Sequence, residues 1–120
     1  MGQNYYLLMR YLKIYKPYFT PEFLKQAQKY RHLKKLLAKK IKLLAQEPYK
    51  NCKSEMLVGE LKGLRSARIT KSFRIIFAVC EECRARKFQK LVGCSPVVCK
   101  ETALKTVVFL TFGPHDEAYS

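Results

Sequence analysis

The sequence predicts an α+β domain in which a helical hairpin covers a small sheet. Three observations predict it. A Thr20-Pro21-Glu22 opening is followed by two runs of helical period, the segment from Leu64 to Cys80 reads as two strands carrying arginines, and LKTVVFLTF at Leu104–Phe112 reads as a buried strand closed by Gly113-Pro114. With 120 residues, 48% hydrophobic and 28% charged, the chain is long enough for one domain with a core and too short for two.

Residues Met1–Arg10 show no period and are read as an N-terminal extension, with the domain proper at 11–120. Tyr11–Phe19 (YLKIYKPYF) alternates and is rich in aromatics, which predicts a strand. Pro17 places it at a sheet edge, because proline donates nothing to a ladder. Thr20 is then a good N-cap, Pro21 loses no hydrogen bond at the first helical position, and Glu22 suits the positive end of the helix dipole. Helix one is expected over Pro21–Tyr30 with Phe23, Leu24, Ala27 and Tyr30 buried. Helix two follows, with Leu33, Leu36, Leu37, Ile41 and Leu44 on one face, Lys35, Lys39 and Lys42 on the other, and Glu47-Pro48 as its end. The lysine face, Lys39 and Lys42 above all, suits an RNA backbone as well as it suits plain solvent.

In the hairpin, Arg68-Ile69 and Arg74-Ile75-Ile76-Phe77 flank a polar Thr70-Lys71-Ser72 break. Strand alternation puts Arg74 and Ile76 on one face and Ile75 and Phe77 on the other, so a guanidinium is held on a rigid sheet, an arrangement suited to phosphate. Arg68 has a second possible use, a salt bridge to Glu60 or Glu81.

The net charge is +15, spread along the chain: 13 Lys/Arg against 4 Glu in residues 1–60, and 11 against 5 acidic residues in 61–120. A domain this basic repels itself and implies an anionic partner, nucleic acid first or an acidic protein. No apolar run reaches the length of a membrane span and no secretory leader is evident, so a cytoplasmic protein is expected. The five cysteines are then read as thiols or metal ligands. Cys80 and Cys83 form a C-x2-C knuckle, followed by ten intervening residues and Cys94, then four intervening residues and Cys99, on an insertion at 80–100. That spacing predicts a closed structural zinc site of four thiolates, with free thiols or an occasional disulfide as the alternative, and leaves Cys52 over. The basic run Arg84, Arg86, Lys87 and Lys90 on the same insertion is a further RNA-facing candidate.

FTPEFLKQ (Phe19–Gln26), LKGLRSARITKSFRIIF (Leu61–Phe77) and VVFLTFGPHDEAY (Val107–Tyr119), in that order, resemble the RelE/ParE superfamily of toxins from type II toxin–antitoxin systems. The resemblance implies a RelE-like fold, a small twisted antiparallel sheet against an N-terminal helical hairpin. It also implies a cognate antitoxin and, for RelE and YoeB types, metal-independent messenger RNA cleavage on the ribosome by 2′-hydroxyl attack, leaving a 2′,3′-cyclic phosphate and a 5′-hydroxyl. Such a reaction needs a base, cations for the phosphorane-like charge, and an acid. The spacing from Glu55 through Gly63 to Arg68 and Arg74 is similar to the YoeB branch. On that match Glu55 is the base, Arg74 with Arg68 the cations, and His115 the acid, while Tyr119 orients a base and Lys62 and Arg65 contact RNA. The chain departs from YoeB directly after the histidine, where Asp116 stands and the tyrosine is delayed to Tyr119. Two other functions share this scaffold: a ParE-like gyrase-inhibiting toxin, and an inactive zinc-stabilised nucleic-acid-binding module. The Glu55 and His115 pair favours cleavage, since a pure inhibitor needs neither acid nor base.

Overall fold

The computed structural model describes residues 15–57, 63–85 and 105–114. The segments 1–14, 58–62, 86–104 and 115–120, and with them the expected start of the first strand, Lys62, Cys94, Cys99, His115 and Tyr119, lie outside the described residues. The elements are β1 (Lys16–Phe19), α1 (Pro21–Lys29), α2 (Lys34–Gln46), β2 (Glu55–Met56), β3 (Arg65–Arg68), β4 (Phe73–Val79), α3 (Cys80–Ala85) and β5 (Thr106–Pro114), with single 3-10 turns at Arg31–Leu33 and Asn51–Lys53. None of the described helices is long and apolar enough to cross a membrane.

The start of α1 follows from its sequence. Thr20 has extended backbone angles, its hydroxyl oxygen accepts from the Phe23 amide at 3.1 Å, and Pro21 opens the first turn. The same hydroxyl donates to the Leu110 carbonyl at 2.8 Å. That carbonyl sits at a β-bulge: Ile76 pairs with Thr111 and Phe77 with Phe109, so Leu110 is the extra residue on β5. Thr20 therefore ties the helix to the sheet, and Gln26 Nε2 adds a bond to the Phe112 carbonyl at 3.1 Å. Thr20→Ala is expected to lower stability by about 1–2 kcal/mol, read as a shift of the urea midpoint, because a cap and a bulge contact are lost together.

The five strands are ordered β1-β5-β4-β3-β2. β1 is an edge strand, as Pro17 requires, but it runs parallel to β5, whereas β5, β4, β3 and β2 are antiparallel in turn. The sheet is thus mixed rather than antiparallel throughout. The rest of the domain, from Thr20 to Lys105, separates β1 from β5, so no hairpin ties the two strands and a parallel pairing is open to them. The β3–β4 hairpin is closed by Thr70, whose hydroxyl oxygen accepts from the Ser72 and Phe73 amides at 3.2 and 3.1 Å.

Alternation divides the sheet into two faces. Ala67, Ile75, Phe77, Val79, Val107, Phe109 and Phe112 pack under Phe23, Leu37 and Leu44 of the helices. Phe109 is the centre of this layer, with ring centroids of Phe19, Phe23 and Phe77 at 5.4, 5.6 and 6.1 Å. Leu24, expected in the core, is instead 56% exposed, because the buried stripe of α1 runs through Phe23, Ala27 and Tyr30 and Leu24 lies a third of a turn away from it. On the second face a smaller cluster of Leu64, Ile76, Ala78 and Cys83 gathers Met56, Leu57 and Leu110.

Candidate active site

Arg74 and Arg68 are paired directly across β4 and β3, and Ile76 is paired with Ser66, so these four side chains share the second face, away from α1 and α2. Glu55 of β2 is the register partner of Ser66 and joins them. Arg74 Nη1 donates to the fully buried Ser66 hydroxyl at 3.2 Å and lies 3.8 Å from Glu55 Oε1. The arginine side chain is 17% exposed and the glutamate 63%. An ion pair this open contributes at most about 1 kcal/mol, so its effect is to orient the two groups more than to stabilise the fold. Arg68 Nε is buried and finds no hydrogen-bond partner among the described residues.

Like charges directly opposite each other across strands are unfavourable, and one exposed carboxylate does not balance two guanidiniums. The local excess of positive charge invites an anion. Gly113 lies opposite Arg74 on the other flank, where any side chain would stand beside the guanidinium on this face. Pro114, paired with Phe73, is the last described residue before His115.

The structure thus brings Glu55, Arg68 and Arg74 together and leaves other candidates elsewhere. Lys39 and Lys42 are exposed on α2, in the helix layer on the opposite side of the sheet from Arg74. Arg65 turns inward. Its Nε donates to Ser54 Oγ at 3.0 Å, Nη1 bridges Glu82 Oε1 at 3.0 Å, Nη2 donates to the Tyr49 carbonyl at 3.3 Å, and its guanidinium lies 5.1 Å from the Tyr49 ring centroid. Its donors serve the fold, which is not the RNA contact the sequence suggests.

Beside this brace Glu81 Oε1 accepts from the hydroxyls of both Tyr15 and Tyr49, the latter at 2.9 Å. Glu81 is therefore not the partner of Arg68, and Glu60 lies outside the described residues. Burial first, and then the Glu81 carboxylate, push the Tyr15 phenol up to about 12 and raise that of Tyr49 further. A phenol whose ionisation is raised by folding contributes stability that is complete below its unfolded value near 10 and is lost as pH climbs through its folded value. Stability is accordingly expected to fall from about pH 10 to about pH 12. Unfolding curves should show that fall weakened in Tyr15→Phe.

Between Tyr49 and Glu55 the chain passes through Cys52 and Lys53, both in the left-handed region at φ 57° and 54°. Two consecutive non-glycine residues there cost on the order of 1–2 kcal/mol each. External contacts offset that cost: Asn51 Nδ2 donates to the Leu43 carbonyl at 2.7 Å, Ser54 takes the Arg65 bond, and the half-buried Cys52, its thiol pushed up by burial, packs against the main core. Sequence reasoning missed both β2 and this brace. The available signal was the adjacent pair Glu81-Glu82, conspicuous in a chain with nine acidic residues and a charge of +15.

Cys80 and Cys83, the described half of the four-cysteine set, are not a loop knuckle but lie three residues apart on α3, and both are buried. Among the described residues no group of three or more metal-ligating side chains forms.

No family model matches the chain, and no curated protein sequence matches it. Solved structures do. YafQ from E. coli superposes with a TM-score of 0.59 at 16% identity, over 88% of this chain and 99% of that one. The RelBE toxin–antitoxin complex from Mycobacterium tuberculosis matches with a TM-score of 0.56 at 20% identity, covering 85% and 99%. The YoeB/ParE toxin from Agrobacterium tumefaciens gives 0.56 at 16% identity, covering 83% and 98%. Element order, sheet and helical hairpin together show that this chain has the fold of the RelE, YoeB and YafQ toxins.

Proposed function

We propose that the chain is the toxin of a type II toxin–antitoxin pair and an endoribonuclease that cleaves messenger RNA on the ribosome. The observation that carries this reading is the Arg74–Glu55 pair on the sheet face away from α1 and α2, with Arg68 directly across from Arg74. In the proposed reaction the Glu55 carboxylate takes the proton of a 2′-hydroxyl, and the freed oxygen attacks the neighbouring phosphorus. Arg74 and Arg68 carry the charge that builds on the phosphoryl oxygens, with Ser66 fixing the rotamer of Arg74. The 5′-oxygen leaves with a proton from His115, and Tyr119 and Lys62 hold the nucleotides, roles taken from the family resemblance. Lys39 and Lys42, on the far side of the sheet, are assigned to ribosomal RNA rather than to the scissile phosphate.

The partner in this reading is an acidic, amphipathic antitoxin segment. Support comes from a cleft of about 430 Å³ lined by Ala27, Gln28, Arg31, Lys34 and Leu37 between the two helices. Leu24, exposed and one turn before Gln28, extends its apolar edge. Residues 21–46 carry 8 Lys/Arg against a single glutamate, which suits a negatively charged partner. The matched M. tuberculosis structure is itself a toxin–antitoxin complex, and the DinJ–YafQ complex from E. coli is another, with a TM-score of 0.57 at 17% identity.

Short induction in cells, followed by mapping of RNA ends, tests the reading. Growth arrest with new 5′-hydroxyl ends inside messages is expected; arrest with intact messages and inhibited gyrase would favour the ParE-type alternative. The cysteine set is proposed to hold one structural zinc, with Cys80 and Cys83 as one of its two pairs. Purified reduced protein is then expected to carry about one zinc per chain and to lose thermal stability to a chelator.

A further inference from the structure

Glu55 is exposed and stands on a strand of only two residues, so neither burial nor a long ladder fixes its place beside Arg74. What leads into it is the left-handed pair Cys52-Lys53, a segment that contacts from elsewhere must hold in shape. Arg65 supplies two of those contacts, to Ser54 Oγ directly before Glu55 and to the Tyr49 carbonyl at the start of the same loop. Its backbone also pairs with Met56 directly after Glu55. The guanidinium is in turn fixed by Glu82 on α3, in an ion pair whose side chains are 11% and 9% exposed.

We propose that Arg65, clamped by Glu82, is a positioning residue that sets the placement of Glu55 against Arg74 by bracing the Tyr49–Ser54 loop and β2. The catalytic part of this inference rests on the reading of Glu55 as the base; the structural part does not. A planar guanidinium reaches Ser54, Tyr49 and Glu82 at fixed angles, which a lysine ammonium does not reproduce. Arg65→Lys is therefore expected to behave like Arg65→Met rather than like the wild type.

The test combines two readouts on the full-length chain. Hydrogen exchange of the Ser54, Glu55 and Met56 amides should quicken at least tenfold in Arg65→Met, with the Ile75–Val79 amides unchanged. In ribosome-programmed cleavage the same variant should lose about 10- to 100-fold in kcat with KM within twofold, and this loss should vanish when Glu55→Gln is already present, since a misplaced base costs nothing once the base is gone. Ser54→Ala, which removes one link and leaves the buried ion pair, is expected to move both readouts in the same direction by less, and decides the matter if Arg65→Met does not fold. Exchange that quickens evenly over the whole sheet, exchange unchanged at Ser54–Met56, or an equal kcat loss with and without Glu55 would overturn the proposal. A wild-type chain that cleaves no message would overturn the ribonuclease reading instead, and local loosening of Ser54–Met56 would still support the role of Arg65 in placing that loop.

Discussion

Arg74→Ala is expected to slow message cleavage by about 10²–10³-fold, or ~2.7–4 kcal/mol of transition-state stabilisation, while leaving the fold nearly untouched. The size follows from where the guanidinium sits. It is held on a strand with an antiparallel partner on each side, is only 17% exposed, and is aimed by a buried serine at 3.2 Å, so its donors are in place before the phosphoryl charge develops. Its contribution to stability is small, because the contact to Glu55 is 3.8 Å long and the carboxylate is mostly in water. Single-turnover cleavage and a urea midpoint, measured on the same preparation, separate the two effects: the rate should collapse and the midpoint should stay.

Phe109→Ala is expected to do the reverse. Phe109 is fully buried at the centre of the layer between sheet and helices, faces Phe19 across β1 and Phe77 across β4, and touches Phe23 of α1. Removing the ring leaves a cavity shared by three elements, none of which is free to collapse into it. The expected loss is about 3–5 kcal/mol, a large part of the ~5–15 kcal/mol by which a domain is stable at all. Urea denaturation should show the midpoint falling with little change in slope.

The parts of the fold legible in the sequence were those written in local chemistry. Thr20-Pro21 announces the start of α1 through a cap and a ring that need no distant partner, and Thr70 closes the β3–β4 hairpin within three residues of itself. The facing of Arg74 away from Ile75 and Phe77 needed only the two-residue period of a strand. What escaped the sequence was set over long distances. The parallel pairing of β1 with β5 joins residues about ninety positions apart, and nothing within either strand encodes its direction. β2, two residues long, carries no period to detect. Arg65 shows the same limit at the site, since its basic character suggests RNA, whereas contacts to Tyr49, Ser54 and Glu82, 11 to 17 positions away, turn it inward. Hydropathy alone assigns Leu24 to the core, and the geometry of the helix stripe places it outside.

The Glu55, Arg68 and Arg74 cluster is proposed to promote attack of a nucleotide's own 2′-hydroxyl on the neighbouring phosphate of messenger RNA. The most direct measurement programs ribosomes with a defined message, adds wild-type or Arg74→Ala protein, and analyses both the rate and the chemical ends of the products. Fragments with 2′,3′-cyclic phosphate and 5′-hydroxyl ends, formed quickly by the wild type and slowly by Arg74→Ala, are the predicted result; equal rates for the two proteins, or 5′-phosphate ends, would contradict it.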